Sequence, residues 1–147
     1  RDCLLSRGLG DVYKRQVPRY AETDKMGIVH HSVYAIWYEL ARTEYFNKIG
    51  LRYDEIEESG IITPLVELNC KYKLPAYYNQ EVSVETKLIK LTPAKFILQY
   101  DVYDKDGKHL NVGTTTLAWA DAGTFKILNL KRSYPALYSK LLQLLEE

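Results

Sequence analysis

Cysteine is scarce in this sequence. Its two cysteines, Cys3 and Cys70, lie far apart and match no metal-binding or redox spacing. That excludes a disulfide-stapled scaffold and a cysteine-built metal centre. No apolar run approaches the roughly 18 residues that a membrane span needs. No apolar segment has the form of a secretory signal, so a reduced, cytoplasmic setting is expected. Neither sign of charge dominates, since the formal net charge is +1. A general electrostatic pull toward nucleic acid or anionic membrane is therefore excluded. Internal repeats and low-complexity linkers are also missing.

What is present is enough apolar material for one real core. Hydrophobic residues make up 46% of 147, too many for a disordered chain and the right length for one domain. Thirteen tyrosines stand out. They fit either ordinary strand composition or aromatic packing at interfaces, where a ring is buried with its hydroxyl at the wet edge. Residues 1–16 (RDCLLSRGLGDVYKRQ) show no clear period and do not share the later pattern. They read as a non-native or disordered leader, with the domain running over residues 17–147.

The chain is organised around residues 20–50, YAETDKMGIVHHSVYAIWYELARTEYFNKIG. Val17 to Ala21 reads as a short first strand, placed at an edge or start by Pro18. Glu22 to Gly27 is a polar loop, and Gly27 permits backbone angles that a larger residue resists. A helix is predicted from His31 or Ser32 to about Ile49, with Ser32 as N-cap and Gly50 as stop. At 1.5 Å per residue it would be roughly 27 Å long. Its apolar positions include Val33, Tyr34, Trp37, Ala41, Tyr45 and Phe46, and also Ile36 and Leu40. They cover more than one stripe, which predicts burial on most sides under a sheet that curls around it.

Strands follow. Tyr53 to Ser59 reads as a short second helix. Ile61 to Leu74 alternates, with Ile62, Val66, Leu68, Cys70 and Tyr72 on one side and Leu65 as an exception. Glu81 to Leu91 and Lys95 to Tyr103 alternate again. Asp104-Lys105-Asp106-Gly107 is a hairpin turn. His109 to Ala120 returns as a strand, with His109 expected to be exposed. Phe125 to Leu130 is predicted as a last strand, and Tyr134 to Glu147 as an amphipathic helix. This order gives an α+β fold: a curved antiparallel sheet wrapped around one long central helix, the hotdog architecture.

A helix start offers free backbone N–H groups and partial positive charge, which suit an oxyanion. Asp24 precedes that start by seven residues, and Gly27 lets the loop bring its carboxylate back beside those amides. A base or nucleophile next to an oxyanion site is the minimum for acyl transfer to water. One oxyanion donor is worth about 2.7–4 kcal/mol, and a placed general base on the order of 10²–10⁴ in rate. That suffices for an activated ester such as a thioester. On spacing alone, Asp24 could equally cap a turn.

AETDKMGIVHHSVY, followed by an aromatic-rich helix containing ELART, resembles the hydroxybenzoyl-CoA thioesterase-like hotdog family. VELNCKYKLPAYYNQEVSVETKL is also similar to it, and the likeness spans roughly Val17 to Leu145. Within the family it is nearest the bacterial short-chain and long-chain acyl-CoA thioesterases.

The resemblance implies Asp24 as base or nucleophile and the backbone N–H of His31 as the oxyanion donor. Substrate contacts are expected from Gly27, Tyr34 and Trp37, and from His30, which stands where the family commonly has an aromatic. Lys71 and Lys73, on one face of a strand, are candidates for CoA phosphates, since lysine binds phosphate as a point charge. The family implies no metal and no cofactor. Its substrate is acyl-CoA, or the same acyl group on acyl carrier protein. It works as a homodimer or homotetramer with active sites at the subunit interface. Two rivals keep the fold: a hydroxyacyl-thioester dehydratase using His31 and Asp24, and a non-catalytic acyl-binding dimer.

Overall fold

The computed structural model describes residues 12–24 and 27–146. Five strands form the main antiparallel sheet. They are β1 (Val12–Gln16), β3 (Leu65–Tyr72), β4 (Val82–Leu91), β5 (Lys95–Asp104) and β6 (His109–Ala118), in the order β1-β4-β5-β6-β3. A small second sheet pairs β2 (Ile61–Ile62) with β7 (Ala120–Asp121). The long helix α1 spans Val33–Lys48, and α2 spans Tyr53–Glu58. The chain closes with α3 (Leu130–Ser133) and α4 (Pro135–Glu146). This is the expected hotdog architecture. Among the described residues, no helix is long and apolar enough to cross a membrane.

The core forms where α1 meets the sheet. Tyr34, Trp37, Tyr38, Ala41 and Tyr45 recur at helical spacing, and all are buried. They face the alternate inward residues of β4, β5 and β6, such as Val84, Leu98, Tyr100 and Leu117, which are also buried. Each such aliphatic side chain contributes about 1.5–3 kcal/mol on burial. The Tyr38 and Tyr100 rings stack at 4.5 Å, and Phe96 stacks on Trp119 at 4.3 Å.

Three bulges bend the sheet, between Leu65 and Glu67, between Leu88 and Lys90, and between Val102 and Tyr103. The first explains why Leu65 broke the alternation. It pairs with Leu117 on the inner face, and the extra residue flips the parity beyond it.

Several expectations are corrected. The first strand is Val12–Gln16, hydrogen-bonded to β4, rather than Val17–Ala21. Pro18 has no N–H to give a ladder, so pairing ends before it, and Tyr20–Glu22 is a 3-10 turn. Residues 1–11, part of the segment read as a leader, lie outside the described residues. Phe125–Leu130 is not a strand beyond one isolated bridge, Ala120–Ile127. Phe125 sits at φ 60°, and the amides of Gly123 and Thr124 go to the Asp121 carboxylate instead of a neighbouring strand. Asn129 then caps α3. The helix α1 is not covered on most sides. Ile36 and Leu40 stay 54% and 45% exposed, because the sheet stops at the edge strand β3 rather than closing around the helix.

Candidate active site

The segment before α1 is stitched down amide by amide. Asp24 N–H donates to the Ile28 carbonyl at 2.8 Å, and Gly27 N–H to the Asp24 carbonyl at 3.0 Å. Gly27 makes this tight reversal at φ +77°, a region that side chains resist. The Asp24 carboxylate accepts from Ile28 N–H at 3.2 Å. Val29 N–H donates to Ala76 O and His30 N–H to Glu22 O. Ser32 N–H reaches His30 Nδ1 at 3.2 Å, and Val33 N–H reaches His30 O at 3.1 Å. From Ile28 to Val33, only the His31 N–H has no acceptor among the described residues.

That residue borders a cavity of about 270 Å³. Ile28, Val29 and His31 come from the stitched segment, and Tyr34 comes from the first turn of α1. The opposite wall is Tyr72 at the end of β3, with Lys73, Leu74 and Pro75 after it. The walls are mostly apolar and aromatic, with a few convergent polar groups, as in small-molecule sites. Tyr72 packs edge-on against Tyr34 at 5.3 Å, and Tyr34 against Trp37 at 5.1 Å. The Tyr72 hydroxyl donates to the His31 carbonyl at 3.1 Å. Burial and a hydrogen bond with the Cys70 thiol push the Tyr72 hydroxyl up to about 12. Burial likewise raises Tyr34, against the opposing hydrogen bond from the Ala76 backbone.

His31, Tyr34 and Lys73 thus meet in one cavity. Asp24 is exposed and adjoins it through Ile28 rather than lining it. Trp37 is buried behind Tyr34 and does not reach the cavity wall. The His30 ring stacks on His31 at 4.0 Å, and its Nδ1 bonds the Ser32 hydroxyl at 2.8 Å. Ser32 therefore ties to His30 and gives α1 no side-chain cap.

Lys71 and Lys73 do not share a site. Lys71 borders a separate cavity of about 300 Å³ with Asn69, Gln99 and Thr114 on the outer face of the sheet. The strand ends at Tyr72, and the amides of both Lys73 and Leu74 turn to the Leu110 carbonyl. The chain thereby leaves the strand's alternation and swings Lys73 to the His31 side. His109 is not a free surface residue, since its Nε2 lies 2.8 Å from the Asp101 carboxylate.

Tyr72, Leu74 and Pro75 were not anticipated as wall residues. Tyr72 was legible only as an inward strand position, and its parity was the one available signal.

Residues 18–139 match the thioesterase-like superfamily. The chain belongs to that superfamily. Among curated relatives, the putative acyl-CoA thioesterase YneP of Bacillus subtilis (strain 168) is 32% identical over 125 residues, covering 84% of this chain and 91% of that protein. Among solved structures, the DHNA-CoA thioesterase of Staphylococcus aureus superposes with a TM-score of 0.85 at 34% identity, covering 90% of this chain and 89% of that one. The 4-hydroxybenzoyl CoA thioesterase of Pseudomonas sp. strain CBS-3 gives a TM-score of 0.76 at 24% identity over 89% of this chain and 98% of that one, a likeness of fold. As a superfamily member this chain is an enzyme of the thioester-hydrolase class.

Proposed function

We propose that this thioesterase hydrolyses acyl-CoA to a free carboxylic acid and CoA, with Asp24 and the His31 amide as its working groups. The observation that carries the reading is the N–H of His31, without an acceptor among the described residues, on the wall of the cavity and one hydrogen-bonded loop away from Asp24. The thioester carbonyl would point at that N–H. Asp24 would take a proton from water as the water oxygen bonds the carbonyl carbon. Collapse of the tetrahedral intermediate breaks the C–S bond, and the thiolate takes up the proton. Attack by the Asp24 carboxylate itself, followed by hydrolysis of the anhydride, uses the same geometry.

The acyl group would lie against Tyr34 and Tyr72, with Trp37 supporting Tyr34 from behind. Lys73, beside His31, is the better placed of the two lysines for the CoA phosphates. Gly27 and His30 act by shaping the loop.

The working form is proposed as a homodimer joined along β3, or a tetramer of such dimers. β3 pairs with β6 on one side only and forms the edge of the sheet. Its Leu65, Val66 and Leu68 are exposed, as are Ile36 and Leu40 of α1. An apolar edge of this kind is normally covered. The proposed compartment is the cytoplasm, in keeping with the free thiol of Cys70.

The test is thiol release from short, long and aromatic acyl-CoAs and from acyl carrier protein thioesters, with Asp24→Asn run alongside. Asp24-dependent release supports the hydrolase. Hydration or dehydration of hydroxyacyl thioesters without thiol release, or binding without turnover, would overturn it.

A further inference from the structure

The His31 amide is useful only if it is held still. Its residue is flanked by two peptide groups, and each is anchored through its carbonyl. The His30 carbonyl accepts from Val33 N–H at 3.1 Å. The His31 carbonyl accepts from the Tyr72 hydroxyl at 3.1 Å. The first anchor is local and belongs to the turn that starts α1. The second comes from 41 residues away, across the cavity.

We propose that Tyr72 is a positioning residue for the reaction: its hydroxyl clamps the His31 carbonyl and thereby fixes the direction of the His31 N–H. This rests on the oxyanion role proposed above for that amide.

The ring is well placed to act as a strut. It leans edge-on against Tyr34 and projects from the last residue of β3. Just beyond it, the chain is pinned by two amides on the Leu110 carbonyl. Behind it the Cys70 thiol touches the Tyr38 hydroxyl at 3.3 Å and Asn111 Nδ2 at 3.2 Å, so the strut ends in the buried core. Its high pKa keeps the hydroxyl a donor throughout the neutral range. Preorganised donors of this kind work because they need not reorient during the reaction.

The experiment compares wild type, Tyr72→Phe and a protein with 4-aminophenylalanine in place of Tyr72. The Phe variant keeps the ring and its contact with Tyr34 but loses the donor. The amino variant restores an N–H donor at nearly the same reach. For Tyr72→Phe we expect kcat to fall about tenfold, the effect of misaiming one transition-state hydrogen bond. KM should stay within about twofold, because the ring that would touch the acyl group is unchanged. The amino variant should recover most of the loss. Amide hydrogen exchange at Ser32 and Val33, whose N–H groups bond His30 beside the clamp, should quicken in Tyr72→Phe and return in the amino variant.

Unchanged kcat in a folded Tyr72→Phe, or a loss that the amino variant does not restore, would overturn the proposal. A rise in KM alone would assign Tyr72 to substrate contact instead and overturn it equally. If Tyr72→Phe does not fold, the amino variant carries the test: wild-type exchange at Ser32 and Val33 supports the clamp, and rapid exchange there sinks it. Absence of thiol release by wild type would instead fault the hydrolase reading, and the exchange data would still decide the clamp.

Discussion

Gly113 leaves open the space that the Tyr38 ring occupies. A Cβ at position 113 would stand 2.6 Å from the Tyr38 ring and 2.7 Å from the Asn69 carbonyl. The Tyr38 ring of α1 thus lies directly over a glycine of β6. Gly113→Ala should therefore cost about 1–3 kcal/mol through overpacking, read as a lower melting temperature. A melting curve equal to wild type would show that α1 can shift without penalty.

Asn111 is fully buried, and its amide serves three partners. Nδ2 donates to the Lys71 carbonyl at 3.0 Å and to Cys70 Sγ at 3.2 Å. Oδ1 accepts from the Tyr38 hydroxyl. Asn111→Ala would strip the carboxamide partner from a buried phenol, which costs about 1–3 kcal/mol. Combined with Tyr38→Phe the loss should be less than additive, and a double-mutant cycle on denaturant unfolding measures this.

Asp24 is exposed, and its carboxylate holds the Ile28 amide. Asp24→Asn keeps an oxygen for that bond but removes the base. Turnover should fall on the order of 10²–10⁴, with the melting temperature little changed. Stability and activity should separate at this residue and fall together at Asn111.

Val66 is 62% exposed in the edge strand. Val66→Asp should leave the chain folded, since the side chain packs against little within it. Sedimentation velocity should show dissociation to a single chain, with turnover lost alongside. An intact oligomer would place the subunit contact elsewhere.

The pH dependence of the Tyr72 clamp has a definite sign. Its hydroxyl is pushed up to about 12, above the ordinary tyrosine value of about 10. The folded state holds this proton more tightly than the unfolded chain does. The stabilisation is therefore complete below about pH 10 and disappears as pH rises through about 12. Tyr72 should add no inflection to the rate profile in the neutral range. An ultraviolet titration of tyrosinate in wild type against Tyr72→Phe should differ by one group at the alkaline end.

Local and periodic features were legible in the sequence. The apolar spacing from Val33 to Phe46 is helical, and α1 lies there. Asp104 to Gly107 reads as a turn, and the Asp104 carboxylate accepts the Asp106 and Lys108 amides. What stayed hidden depends on partners distant in sequence or on one-residue irregularities. A bulge cannot be seen in an alternation that it interrupts, so Leu65 read as an exception. Lys71 and Lys73 have the same parity, yet the strand ends between them. Phe125–Leu130 has strand-like composition, but its pairing with β7 stops at a single bridge at Ile127, and Asn129 then starts the next helix. The resemblance points to the loop around Asp24 as a candidate site. That its carboxylate adjoins the cavity through Ile28 follows from hydrogen bonds no spacing reveals.

The edge strand carries one more consequence. Tyr72 stands at the end of β3, whose outer rim has no pairing partner among the described residues. In an enzyme joined along that rim, association and catalytic competence become a single mass-action equilibrium. Diluting the protein would then silence it before it unfolds, and its specific activity would report how much of it is present.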